Sequence, residues 1–211
     1  MDNMHTNQSD SSHVKAFRSM LEEFHETFKL PIVKSWSECN KDAIPLRINL
    51  IAEEFAEYQQ AAVRKDILDA LGDLTYVVAG TWITIGVFPP DYTEHVALMK
   101  TNHKPDLLRP VVAYLTELRK DKLCYMGLTS STTVLYWQLE HAAFVLGVDL
   151  YILMSRIHAS NMTKLWSPLD LPNKPDATTA YETKRGYVVK RNLDGKVIKS
   201  PGYKPVDLTD L

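Results

Sequence analysis

The sequence predicts an all-α fold, in which a four-helix bundle core carries a helical insertion and a loop-rich C-terminal tail. From residue 11 to residue 165, apolar side chains recur at spacings of three and four, the period of an amphipathic helix. Proline and glycine fall at the ends of these periodic segments. From Trp166 onward Pro, Asp, Asn and Thr become frequent and the periodicity disappears, so 166–211 is predicted to be extended.

Three helices are expected in the first half of the chain. Ser11 and Ser12 can cap a helix of about 18 residues that Pro31 ends, and residues 1–10 are expected to be a disordered tail. Pro45 can occupy the first turn of the next helix. The second and third helices are predicted at about 45–63 and 66–86.

Later helices are predicted at 91–100, 107–122, 129–146 and 149–165. We interpret residues 88–144 as a helical insertion into one domain that spans 11–165. The tail segment GYVVKRNLDGKVIKS has two apolar stretches around a Leu-Asp-Gly turn, which predicts a β-hairpin.

Composition excludes several classes of protein. The 211 residues carry a formal net charge of -2 and two cysteines, so neither a nucleic-acid partner nor a disulfide scaffold is indicated. The longest uncharged apolar run, 74–88, is shorter than the roughly 20 residues of a membrane span. The polar N-terminus lacks the apolar core of a signal peptide. We expect a soluble, cytoplasmic protein with no membrane partner.

Five carboxylates mark the candidate site. Glu54 and Glu57 share one face of the second helix, and Glu53 shares the adjoining face with Glu57. Asp69 and Asp73 are four residues apart on the third helix, within an almost entirely apolar run. A short junction predicts that these two helices pair antiparallel, which brings the carboxylates together.

Buried carboxylates that repel each other need compensation, and a divalent cation provides it. Oxygen ligands without His or Cys favour Mg²⁺, with Mn²⁺ as a substitute, over Zn²⁺. A solvated acidic face is the alternative for the glutamates. A carboxylate-bridged di-iron centre would need paired Glu-x-x-His motifs, and only Glu22 and His25 have that spacing.

Four segments together resemble a known superfamily: LRINLIAEEFAEYQQAA, DILDALGDLTYVVAGTWITIGV, HASNMTKL and DGKVIKSPGYKPVDL. They are similar to the all-α nucleoside-triphosphate pyrophosphohydrolases, which include MazG, the dimeric dUTPases and phosphoribosyl-ATP pyrophosphohydrolase, and are most similar to small phage-type members. The resemblance implies Mg²⁺-dependent hydrolysis of a nucleoside triphosphate to the monophosphate and pyrophosphate. It also implies a homodimer or homotetramer.

By position, the family's Glu-Glu-x-x-Glu motif falls on Glu53, Glu54 and Glu57, and the aspartate of its Glu-x-x-Asp motif on Asp73. The glutamate of that second motif would fall at Ala70. Asp69 lies one position earlier and still shares the face of Asp73, so we expect it to take the ligand role. The catalytic set is then Glu53, Glu54, Glu57 and Asp73, and the metal set Glu54, Glu57, Asp69 and Asp73.

Four further residues are candidates for substrate binding. Asn161 and Lys164 are three apart near the end of the last helix, and an Asn and a Lys in this region contact the nucleotide in similar enzymes. Trp36 could stack on a base, although packing is the simpler interpretation, and Arg47 could reach phosphate or form a surface salt bridge. The basic tail is by default a solvated hairpin, with closure over a partner subunit's triphosphate site as the alternative.

The expected reaction uses Glu53 to position or deprotonate water and Lys164 to stabilise pyrophosphate charge. The candidate substrates are dGTP and dUTP, since the sequence does not choose the base. Two alternatives remain: a non-catalytic nucleotide-sensing or structural bundle, suggested by Ala70, and a phosphoribosyl-ATP pyrophosphohydrolase.

Overall fold

Three segments of the chain, residues 7–88, 108–118 and 125–211, are described by the computed structural model. They contain six α-helices and one two-stranded antiparallel sheet. The helices are α1 (Asn7–Thr27), α2 (Ile44–Gln60), α3 (Arg64–Ile85), α4 (Leu108–Leu118), α5 (Tyr125–Val145) and α6 (Leu150–Met162). The strands are β1 (Thr178–Thr183) and β2 (Gly186–Arg191). The all-α fold with a C-terminal hairpin is therefore confirmed.

Helix α3 is the central element of the bundle. It packs against α1, α2, α5 and α6, and α1 also packs against α6. Its buried residues run from Leu68 to Ile85 and cover most of its surface, as expected for a helix surrounded by others. Gly72 allows α6 to approach closely, because a Cβ at this position would lie 2.6 Å from Ile157 Cγ1.

Helices α2 and α3 pair antiparallel. Near the start of α2, Arg47 contacts Val77 and Thr81 in the second half of α3. Near the end of α2, Glu57 instead interacts with Asp69 near the start of α3. The short junction between them, 61–63, favours this antiparallel pairing.

Helix ends differ from the predictions by a few residues. α1 begins at Asn7 rather than at the Ser11–Ser12 cap, and α5 begins at Tyr125 rather than at 129. A helix can begin a few residues before its predicted cap when the preceding residues also tolerate the helical conformation. Gly86 ends α3 as predicted, in a left-handed conformation with φ of 70°. The predicted helix at 91–100 lies outside the described residues.

Helices α4 and α5 fall within the predicted insertion. α4 packs against α2 and α5, and α5 packs against α3. Trp82 of α3 donates a hydrogen bond to Thr132 Oγ1 of α5 at 2.9 Å. The described part of the predicted insertion thus contributes to the same hydrophobic core as α1, α2, α3 and α6.

The hairpin is placed differently from the prediction. The predicted first strand, from Gly186, is the second strand in the structure, and it pairs with Thr178–Thr183 before it. After the predicted Leu-Asp-Gly turn only an isolated bridge forms, between Lys190 and Val197. The sequence prediction missed β1 because its segment, TTAYET, is mostly exposed and lacks an apolar alternation.

Among the described residues, no single helix has the length and apolar character to cross a membrane. Taken together, α5 and α6 would be long and apolar enough for a span, but the two helices meet at an angle of 107°.

Candidate active site

The carboxylates predicted from the two helices lie on facing parts of α2 and α3. Glu54 interacts electrostatically with Asp73 and Glu57, and Glu57 interacts also with Asp69 and Asp73. The antiparallel pairing of the helices produces this arrangement, because both acidic segments lie near the 61–63 junction. We call Glu54, Glu57, Asp69 and Asp73 the acidic cluster.

Burial makes two members of the acidic cluster difficult to ionise. The pKa of Glu54 is raised to about 7, because burial disfavours its charged form and because Asp73 and Glu57 add negative charge nearby. The pKa of Asp73 is raised to about 6, mainly by burial, although the ammonium group of Lys164 opposes this effect. An additional positive charge at the site would therefore favour the ionised form of both carboxyls.

The structure distinguishes Asp69 from its neighbour Ala70. Ala70 is only 6% exposed and its methyl group offers no oxygen ligand, so this residue contributes nothing to the acidic cluster. Asp69 is half-buried and interacts with Glu57, and burial raises the pKa of its carboxyl. Asp69 thus lies in the acidic cluster, although the family's motif has its acidic residue, a glutamate, at position 70.

Glu53 contacts the C-terminal tail. Its carboxylate forms an ion pair with the ammonium group of Lys196, and both side chains remain partly exposed. The tail therefore reaches α2 within the same chain. The default interpretation, in which the basic side chains of the tail are solvated, is therefore wrong for Lys196.

Lys164 lies just past the end of α6 and is the cation nearest to the buried acids. It interacts with Asp73 and Glu54, while burial lowers the pKa of its ammonium group. Asn161, one turn earlier, is 3% exposed, and its side chain forms no hydrogen bond with the described residues. Its amide atoms keep some contact with solvent, so either water or a bound ligand can bond them.

No three His, Cys, Asp or Glu side chains among residues 7–88, 108–118 and 125–211 converge tightly enough to hold a metal ion. The donor set nevertheless suits a hard divalent cation, because it consists of carboxylate oxygens whose charges are poorly compensated. Glu54 and Asp73 carry this fit, since both are partly buried, Asp73 raises the pKa of Glu54, and Glu57 raises the pKa of both.

Arg47 lies in the interior, where it is 8% exposed. Its guanidinium donates to the carbonyl oxygen of Val77 at 2.6 Å and to Thr81 Oγ1 at 3.3 Å. Burial lowers its pKa to about 10. The structure does not place Arg47 in a surface salt bridge, and none of its described contacts reaches the acidic cluster. A Cβ added at Gly80 would lie 2.6 Å from this guanidinium, which explains the glycine.

Trp36 lies in a 3-10 turn, Trp36–Glu38, between α1 and α2. Its ring packs edge-on against Tyr125 at 5.6 Å and against the hydrophobic core. Within the described parts of the chain, no contact connects it to the acidic cluster. The packing interpretation accounts for these contacts.

Three residues of the tail lie near the site although no local pattern in the sequence places them there. They are Lys196, Lys199 and Tyr203. Lys199 interacts with Asp69 and Asp73, and its Nζ lies 4.6 Å from the ring centre of Tyr203. Lys164 Nζ lies 6.0 Å from the same ring. Only the likeness of the tail segment to the superfamily pointed to this region.

Comparisons with known proteins match the segment that contains these carboxylates. Residues 21–99 match the model of the family described as phosphoribosyl-ATP pyrophosphohydrolase, a segment that includes α2, α3 and all the carboxylates discussed above. A curated relative, the uncharacterized protein L479 of Acanthamoeba polyphaga mimivirus, is 27% identical over 240 aligned positions, covering 90% of this chain and 92% of that protein. No solved structure matches the chain significantly.

The match indicates an enzyme of the pyrophosphohydrolase type, and proteins of this family typically depend on a divalent metal. The resemblance inferred from the two acidic helices is thereby confirmed, since residues 21–99 match a family that belongs to the MazG-like, all-α nucleoside-triphosphate pyrophosphohydrolase superfamily.

Proposed function

We propose that this protein hydrolyses a nucleoside or deoxynucleoside triphosphate to the monophosphate and pyrophosphate, with Mg²⁺ as cofactor and Mn²⁺ as a substitute. The observation that carries the proposal is the pair Glu54 and Asp73. These two partly buried carboxylates face each other across α2 and α3, beside Lys164, with raised pKa values. Such a pair is unfavourable by itself and becomes favourable with a bound cation.

The acidic cluster would hold the metal through Glu54, Glu57, Asp69 and Asp73. When bound, the metal neutralises triphosphate charge and makes a bound water more acidic. Glu53 lies beside this set on α2 and positions the attacking water or accepts its proton. Its ion pair with Lys196 keeps the carboxylate in place between turnovers.

Lys164 and Asn161 act on the substrate side of the site. Lys164 stabilises the negative charge that develops on the departing pyrophosphate, as a buried cation does most effectively. The amide of Asn161, which has no protein partner among the described residues, bonds the sugar or a phosphate oxygen.

The experiment is pyrophosphate release from a panel of nucleoside and deoxynucleoside triphosphates with Mg²⁺, Mn²⁺ or EDTA. The panel includes dGTP and dUTP, which the resemblance favours, and phosphoribosyl-ATP, which the matching family's description favours. Metal-dependent release from one or two of these compounds supports the proposal and names the base. Binding without release from any of them would contradict it and support a nucleotide-sensing bundle.

The resemblance also leads us to propose a homodimer or homotetramer. Light scattering coupled to size-exclusion chromatography tests this point, and a mass of 24.0 kDa in solution would contradict it.

A further inference from the structure

The C-terminal tail crosses the end of α6 and is fixed there on both sides of Lys199. The indole Nε1 of Trp166 donates to the carbonyl oxygen of Ile198 at 3.0 Å. On the other side, Ser200 Oγ donates to the carbonyl oxygen of Thr163 at 3.1 Å. The hydrogen bonds of Ile198 and Ser200 therefore fix the backbone of Lys199, and its position does not depend on an ion pair of its own side chain.

Two ammonium groups share one aromatic ring at this point. The Nζ atoms of Lys199 and Lys164 lie 4.6 Å and 6.0 Å from the ring centre of Tyr203. Neither forms an ion pair with a residue that the structure describes, although carboxylates lie nearby. Ser160 Oγ donates to the carbonyl oxygen of Lys204 at 2.8 Å, which fixes the chain just after Tyr203. Two like charges around one ring repel each other, and an anion between them would remove the repulsion.

Lys196 adds a third ammonium group, at Glu53. Its backbone is fixed by the turn before it, since its carbonyl oxygen accepts from Arg191 N at 2.9 Å and its N–H donates to Asp194 Oδ1 at 3.1 Å. The tail thus presents Lys196 to α2 and Lys199 to the end of α6. Both lie in the same chain as the carboxylates, whereas the alternative drawn from the sequence was closure over a partner subunit's site.

We propose that Lys196 and Lys199 bind the phosphate chain of the substrate, as the cations that the tail adds in cis to the carboxylates of α2 and α3. This inference rests on the proposed function. The reason is charge: carboxylates repel a polyphosphate, so cations on the tail would add to the attraction that the metal and Lys164 supply. Lysine suits this role, because its ammonium is a compact charge on a flexible stem that can follow a phosphate oxygen.

The test uses the full chain with two variants, Lys199→Met and Lys196→Met, and a matched control, Lys204→Met. Lys204 lies on the same tail and is exposed, and its side chain contacts none of the site residues in the described structure. Binding of inorganic pyrophosphate with Mg²⁺ is measured by calorimetry. Each test variant is expected to raise Kd about tenfold or more, as for loss of a charge-assisted bond, and Lys199→Arg to restore binding in part. The control should remain within twofold of wild type.

A thermal melt of each variant shows that it folds, and little change is expected because both lysines are partly exposed. Kd values within twofold of wild type for both folded variants would overturn the inference, as would a wild-type protein that does not bind pyrophosphate. The assay is independent of turnover. If wild type binds pyrophosphate through these lysines but releases none from any nucleotide, the proposed function fails while the assignment of the lysines stands.

Discussion

The hydroxyl of Tyr76 and Nδ1 of His158 lie 2.9 Å apart, a buried contact that joins α3 to α6. On the other ring nitrogen, His158 Nε2 lies 3.2 Å from Glu23 of α1, which also accepts from Arg185 at 2.6 Å. Arg185 lowers the pKa of Glu23, so this carboxylate is an acceptor. The tyrosine therefore donates to His158, and one chain of bonds connects α1, α3, α6 and the hairpin turn.

The variant Tyr76→Phe removes the donor and leaves buried His158 Nδ1 unpaired. We expect the free energy of unfolding in urea to fall by about 1–2 kcal/mol. Tyr58→Phe is the matched control, because the Tyr58 hydroxyl bonds no residue within the described ranges. Equal stability of the two variants would show that the contact between α3 and α6 contributes nothing.

Glu54→Gln should abolish turnover and leave the fold intact. Because the pKa of Glu54 is raised to about 7, its ionised form destabilises the metal-free protein above that pH, and a neutral amide removes this cost. We expect the variant to melt at the same or a higher temperature than wild type at pH 8 in EDTA. Retention of wild-type pyrophosphate release would show that the metal site is assigned to the wrong residues.

Asp69 and Ala70 can be tested against each other. Asp69→Asn should lower kcat/KM at least about tenfold, equivalent to about 1.4 kcal/mol of transition-state stabilisation. Adding Ala70→Glu should not restore activity, and it should cost several kcal/mol of stability, because position 70 is almost fully buried. Asp66→Asn, which changes an exposed residue one turn earlier, is the control. Rescue by the glutamate would mean that position 70 reaches the acidic cluster.

His25 predicts a dependence of stability on pH. It is 1% exposed, and burial together with the charge of Arg47 lowers its pKa to about 3, although Pro31 O accepts a hydrogen bond from Nδ1 at 2.7 Å. Below pH 6.5 the unfolded chain binds a proton that the folded chain does not. Folding stability attributable to His25 is then lost as pH falls from 6.5 toward 3, by about 1.4 kcal/mol per pH unit.

The measurement compares urea unfolding of wild type and His25→Asn at pH 7.5, 5.5 and 4.5. The asparagine keeps a donor near Pro31 but does not titrate, so the difference between the two proteins isolates the histidine from the carboxylates. We expect the advantage of wild type over the variant to shrink as the pH falls. A constant difference at all three values would contradict a neutral, buried His25.

The helices were predictable because their apolar period is strong and local. The pairing of Glu54 with Asp73 was predictable for the same reason, since one short junction separates the two helices. The position of Arg47 was not predictable, because nothing in the sequence distinguishes an arginine that bonds a carbonyl oxygen and a hydroxyl in the interior from one on the surface. β1 was missed because its pairing with β2 depends on an exposed, polar strand with little periodic signal.

The lysines of the tail illustrate a different difficulty. Lys196 contacts Glu53 across 143 positions of sequence, and no periodicity extends over that distance. Their approach depends on how 163–204 folds back on the end of α6, which is a property of the tertiary structure. Family likeness indicated that the tail belongs with the site, but the structure was needed to show which of its charges arrive there.

The order of the chain also gives the site an order of assembly. The ribosome makes α2 and α3 long before it makes Lys196 and Lys199, and folding during synthesis proceeds from the N-terminal side. A nascent chain therefore acquires its acids first, and the two tail cations that we assign to the phosphate chain emerge only after the hairpin. A nonsense codon directly after β2 would leave every described helix encoded and yet remove both of these cations from the finished protein.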